Sequence, residues 1–212
     1  MKREPVKARI LAVGGHTRNV GKTCLVVDLI RAFPEAEWTA VKITQHGHGL
    51  LADSGENSGE DLPGHAATLD EEHDRSNRTD TSRFLVAGAA RALWLRAEVD
   101  HLERGLALIR AELEKPGNVI LESNTALQFL KPSLYLLVLD PLREDFKTSA
   151  RSTLAQADAL VLRSPLKASP WRDVPQELLE AKLNFLQPLG EPLPRGLRDF
   201  VRERFLAAEK AE

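Results

Sequence analysis

Three consecutive segments near the N-terminus constrain this chain more than anything else in it. Ala8 to Val13 reads ARILAV, an apolar run rich in branched side chains and long enough for a buried strand. Gly14 to Cys24 reads GGHTRNVGKTC. Lys22 to Phe33 reads KTCLVVDLIRAF, apolar on nearly every face, as expected of a helix packed inside an α/β domain. Strand, glycine-rich turn and helix stand in the order that cradles a phosphate group.

The chemistry of that order is specific. Gly14, Gly15 and Gly21 are expected to take positive φ angles and to let the backbone approach a ligand closely. The amides of Gly15, His16, Thr17, Arg18, Asn19, Val20, Gly21, Lys22, Thr23 and Cys24 then form a nest for phosphate oxygens. The helix N-terminus adds partial positive charge, Lys22 can reach the β and γ phosphates, and the Thr23 hydroxyl suits Mg²⁺. Measured against G-x-x-x-x-G-K-[ST], the first glycine belongs at position 16, which is His16. The glycine present is Gly15, so the pattern is G-x₅-G-K-T. The alternative is a plain helix start that happens to carry GKT.

A chain of 212 residues is long enough for one domain with a sizeable core. Residues 1–164 are expected to form the nucleotide-binding part and 165–212 a helical extension of the same domain. A net charge of −2 and only 5% aromatic residues give no reason to expect a nucleic-acid or membrane-surface partner. The single cysteine, Cys24, excludes an internal disulfide framework and fits a reducing cytosol; on a crowded helix it reads as a small core residue rather than a nucleophile. The short N-terminal apolar run is better used as a strand than as a targeting segment, so a cytoplasmic location is expected.

Further along, apolar runs alternate with helical patterns, the mark of a doubly wound, mostly parallel sheet with helices on both faces. The expected strands are Ala8 to Val13, Trp38 to Ile43, Arg91 to Leu95, Asn118 to Leu121, Leu134 to Leu139 and Ala157 to Leu162. Val99, Leu102, Leu106, Ile109 and Leu113 repeat at helical spacing, as do Phe146, Ala150 and Leu154. Thr44 to Asp80, rich in glycine and acidic residues, is expected to be a long mobile loop. Four of the six histidines lie there, and His46-Gly47-His48 is a weak metal-binding pattern. Prolines at 165, 170, 175, 188, 192 and 194 predict short, sharply bounded helices towards the C-terminus.

Five polar residues stand where such a sheet places chemistry. Lys42 ends the second strand, at the edge that faces the ligand crevice, where a lysine can stabilise charge on a transferring phosphoryl group; an exposed strand end is the plainer alternative. Asp80, in Asp80-Thr81-Ser82, suits a helix cap and also a carboxylate that binds Mg²⁺ directly or through water, two roles that do not exclude each other. Glu122 follows the apolar run NVIL and is placed to approach the metal or orient water, while Asn124 can orient phosphate or cap the next helix. Asp140, before Pro141, is as suited to shaping a turn as to touching ligand.

On these residues the chain resembles two families. The longer loop ending Val20-Gly21-Lys22-Thr23 is similar to that of dethiobiotin synthetases. The loop together with Lys42 in V-K-I-T-Q-H, Asp80-Thr81 and Ala87-Gly88-Ala89 resembles the molybdopterin-guanine dinucleotide biosynthesis protein B family over roughly residues 8 to 140. Both belong to a P-loop class that also holds nickel-insertion GTPases. The resemblance implies that Lys22 and Thr23 hold phosphate and Mg²⁺, that Asp80 belongs to a metal-side switch, and that Glu122 is the family's acidic residue. It also implies a homodimer and a cofactor-biosynthesis partner. Ser123-Asn124 after Glu122, and Arg163-Ser164-Pro165 where a guanine-selecting N-K-x-D would stand, depart from the pattern.

Three functions are compatible with these residues. One is an NTPase that uses ATP or GTP in cofactor assembly, with Lys22, Lys42 and Glu122 as its catalytic groups. A second is an ATP-dependent ligase in which Lys42 acts on an acyl phosphate, and a third is a nucleotide-binding switch without turnover.

Overall fold

Alternation along the strands decides which layer each helix occupies. In the computed structural model, which describes residues 7–46 and 67–207, the first strand, β1 (Arg9–Gly15), sends Leu11 and Val13 to one face and Ile10 and Ala12 to the other. Every side chain from Ile10 to Val13 is at most 1% exposed, so both faces are covered and the run is apolar without interruption. The same holds for β6 (Leu134–Leu139), which is buried at all its positions.

Eight strands form one sheet. The others are β2 (Thr39–His46), β3 (Ala67–Glu71), β4 (Arg91–Glu98), β5 (Asn118–Glu122), β7 (Ala159–Leu162) and β8 (Leu183–Leu186). The spatial order is β3-β4-β2-β5-β1-β6-β7-β8, all parallel except β3, which runs antiparallel to β4 at the edge. The α/β class expected from the sequence is therefore the one observed. On one face lie α1 (Lys22–Ala32), α2 (Asp80–Ala87) and α6 (Arg195–Val201), the last continued by a π-helical turn over Arg202–Leu206. On the other lie α3 (Leu102–Leu113), α4 (Thr148–Leu154) and α5 (Gln176–Glu180).

The expectation of an unbroken loop from Thr44 to Asp80 fails at both ends. β2 runs on through His46, because its partner β4 extends to Glu98 and keeps the ladder in register. β3 closes the sheet edge, pairing Leu69 with Leu95 and tying Asp70 to Arg96 at 2.7 Å. The His46-Gly47-His48 metal pattern, with His65, lies outside the described residues apart from the His46 backbone, and His73 is exposed. β8 adds a parallel strand beside β7 from within 165–212, and the short helices of that region agree with its prolines. Among the described residues no helix is long and apolar enough to cross a membrane.

Candidate active site

β1 and α1 meet at the C-terminal edge of the sheet, and the segment between them is the glycine-rich turn. Of its glycines only Gly21 has a left-handed backbone, with φ 91°, as the N-cap of α1. Gly14 and Gly15 belong to β1, so the expectation of positive φ there is corrected: they are glycines for lack of room. A Cβ on Gly14 would lie 2.5 Å from Asn124 Oδ1 and 2.6 Å from the Tyr135 hydroxyl. One on Gly15 would lie 2.6 Å from the Val20 side chain, which folds back over it. The left-handed turn is shared instead with Asn19, at φ 53°, a residue type that tolerates it.

Asn124 neither caps the following helical turn through its side chain nor reaches into the mouth of the loop. Its amide grips the backbone of Gly15, accepting from the Gly15 N–H at 2.8 Å and donating to the Gly15 carbonyl at 2.7 Å. His16 is fully buried and its ring packs against Phe146 and Trp171, with centroids 5.3 and 5.0 Å away. Burial pushes its pKa down, against an upward pull from the Val138 carbonyl and the carboxylates of Asp145 and Asp140. Neither ring nitrogen has a hydrogen-bond partner. Thr17 is buried and donates to Asp145, whereas Arg18 and Asn19 form the exposed crest of the turn. Val20 is buried in the core and Cys24 is half-buried, its sulfur 3.6 Å from Arg83 Nη2.

Sheet register brings the remaining residues together. Glu122 is the partner of Val13 on one side and of Lys42 on the other, so both polar side chains emerge on the face that α1 and α2 cover. The Thr23 hydroxyl donates to Glu122 Oε2 at 2.9 Å, joining the head of α1 to the end of β5. Lys42 forms an ion pair with Asp80, and Arg83 approaches the other oxygen of that carboxylate at 3.3 Å. The two-way expectation for Asp80 is narrowed on one side: the cap of α2 is Thr79, which accepts from the Ser82 N–H in a reciprocal capping box, and Asp80 is the first helical residue. Asp140 accepts from the Leu142 N–H and the Ser164 hydroxyl, which makes it a turn-shaping residue.

Thr23 and Glu122 together offer hard oxygen donors of the kind Mg²⁺ accepts beside a phosphate chain. Asp80 is chemically suited too, but its charge is already compensated by two cations. Among the described residues no group of three or more His, Cys, Asp or Glu could hold a metal ion.

One residue escaped the sequence. Arg163, at the end of β7 and 6% exposed, reaches under the turn and donates to the carbonyls of Val20 at 3.3 Å and Gly21 at 2.6 Å. It also donates to the Gln187 carbonyl at 2.9 Å, and the Gln187 amide in turn donates to Asp28 of α1. The signal was available, because Arg163 follows an apolar strand just as Lys42 and Glu122 do.

No family model matches the chain, and no curated protein matches it. Solved structures do. HypB from Helicobacter pylori, in complex with nickel, is 16% identical with a TM-score of 0.50, over 96% of this chain and 87% of that one. LpxK from Aquifex aeolicus, in complex with ATP, is 18% identical with a TM-score of 0.47, over 88% of this chain and 56% of that one. This chain thus matches little more than half the length of LpxK. The likeness to HypB shows a shared α/β fold built on a mostly parallel sheet.

Proposed function

We propose that the chain binds a nucleoside triphosphate with Mg²⁺ at the turn from Gly15 to Cys24 and hydrolyses it. The observation that carries this is the 2.9 Å bond between the Thr23 hydroxyl and Glu122. It sets a hydroxyl from the head of the helix and a carboxylate from the neighbouring strand side by side at the phosphate-binding edge. The loop amides and Lys22 hold the phosphate oxygens, and Thr23 and Glu122 hold the metal side. Glu122 also orients the attacking water. Bound Mg²⁺ would neutralise charge on the phosphate oxygens.

Lys42 has two roles in this proposal. It fixes Asp80 at the start of α2, and it lends positive charge beside Glu122 as negative charge builds on the phosphoryl group. Asp80 serves the metal through α2, whose position follows the state of the phosphate site. The turnover is coupled to cofactor assembly, for which the resemblance to molybdopterin-guanine dinucleotide biosynthesis protein B gives the class of partner.

The test is a titration with fluorescent ATP and GTP analogues, with and without Mg²⁺. Saturable binding that strengthens with Mg²⁺ and disappears in Lys22→Ala is expected. Absence of binding to both nucleotides by the wild-type chain overturns the proposal.

A further inference from the structure

The turn is held from a second side by a segment that the sequence motif does not contain. Asp145, Phe146 and Lys147 precede α4 and are stitched to His16 and Thr17 residue by residue. Asp145 accepts from the Thr17 hydroxyl, the Phe146 ring packs on the His16 ring, and the Lys147 N–H donates to the His16 carbonyl at 2.8 Å. Lys147 is therefore anchored by its backbone to the phosphate turn, although it lies 125 positions from Lys22 in the sequence (147 minus 22).

Its side chain has a conspicuous environment. No carboxylate of the described residues lies within ion-pair distance of the Lys147 ammonium, and the charges of Lys22 on α1 and Arg18 on the crest of the turn both act on it. The one carboxylate that counters them, Asp145, is engaged by Thr17. Lys147 thus brings its charge to those of Lys22 and Arg18 at one turn, and Asp145 is the carboxylate that acts on it. An anion that joins them relieves the like-charge repulsion that Lys22 and Arg18 exert on Lys147. A triphosphate chain, with charge spread over several oxygens, is the anion that this turn is shaped to take.

We propose that Lys147 is a second phosphate-binding lysine, delivered to the triphosphate chain from the segment before α4 and acting beside Lys22. The proposal rests on the nucleotide-binding reading of the turn. It has a consequence in proton uptake. Burial first, then Lys22 and Arg18, push the Lys147 pKa down to about 8, with Asp145 pulling the other way. Phosphate binding raises it again, so binding takes up a proton and affinity falls as pH rises through about 8.

The experiment measures the affinity of a fluorescent ATP or GTP analogue in the full chain between about pH 7.5 and about pH 9, above the last ionisation of phosphate. Wild type should bind more weakly towards the alkaline end. Lys147→Ala should bind about tenfold more weakly at the lower pH, and its affinity should be flat across the range. Lys147→Arg, whose charge does not titrate there, should bind tightly and also be flat. Circular dichroism checks that each variant is folded. If Lys147→Ala matches wild type in affinity and pH profile while Lys22→Ala abolishes binding, this inference fails and the nucleotide site stands. If wild type binds neither nucleotide, both fall.

Discussion

Replacing Arg163 by methionine should loosen the glycine-rich turn from below. The guanidinium is buried and donates to three main-chain carbonyls, those of Val20, Gly21 and Gln187, and to the Gln187 side chain. Methionine fills much of the volume and donates nothing. An acceptor left without its partner in the interior costs about 1–3 kcal/mol. The Gly21 carbonyl keeps the Leu25 N–H at 3.1 Å, so the full cost falls on Val20 and Gln187. The sum is roughly 2–6 kcal/mol, equivalent to about 4–24 °C in melting temperature for a chain of this size.

The assay is tryptophan fluorescence during urea and thermal unfolding, since Trp38 and Trp171 are at most 4% exposed and report on opposite faces of the sheet. Arg163→Lys should rescue little, because one ammonium cannot span the carbonyls that the planar guanidinium bridges. Nucleotide affinity should drop along with stability, because the left-handed turn at Gly21 loses the group that fixes its carbonyl. A melting temperature within about 2 °C of wild type, with unchanged affinity, would refute the bracing role.

Glu122→Gln keeps the shape of the side chain and its contact with Thr23, so triphosphate binding should change little while phosphate release slows by about a hundredfold; undiminished turnover removes Glu122 from the chemistry. His16→Leu tests the buried imidazole. Because its pKa is lowered from 6.5 by burial, the unfolded chain binds the proton more readily than the folded one. Its share of stability is present above pH 6.5 and is lost as pH falls from there towards the lower folded value, by at most about 1.4 kcal/mol per pH unit. The leucine variant should lack this acid-sensitive part in urea unfolding at about pH 7.5 and about pH 5. An identical loss in both chains would locate the acid sensitivity elsewhere.

What the sequence disclosed was governed by burial. β1, β5, β6 and β7 are covered on both faces, so their runs are apolar and each was visible. β3 and β8 are edge strands with half-buried or exposed side chains, and ATLDE and LNFL carry no comparable pattern. The polar residues at the ends of strands, Lys42 and Glu122, were legible for the same reason, since a charge stands out after an apolar run. Their partners were not. The Lys42–Asp80 pair and the Thr23–Glu122 bond join positions 38 and 99 residues apart, and only the β2-β5-β1 register brings them to one face.

His16 shows why the loop departs from the usual spacing. Its N–H donates to the Val138 carbonyl, the last bond of the β1–β6 ladder, and its carbonyl accepts from Lys147. The backbone at this position is thus still held by the sheet on one side and by the segment before α4 on the other. The extra residue of G-x₅-G-K-T therefore extends the supported part of the strand, and the free turn begins only at Thr17. A glycine at position 16 would leave a space beside the packed Phe146 and Trp171 rings, whereas the imidazole packs against both. The displaced glycine and the histidine are one adaptation. Position 15 must be small because Val20 folds over it, and position 16 must be large because it fixes the Phe146 side of the segment that carries Lys147.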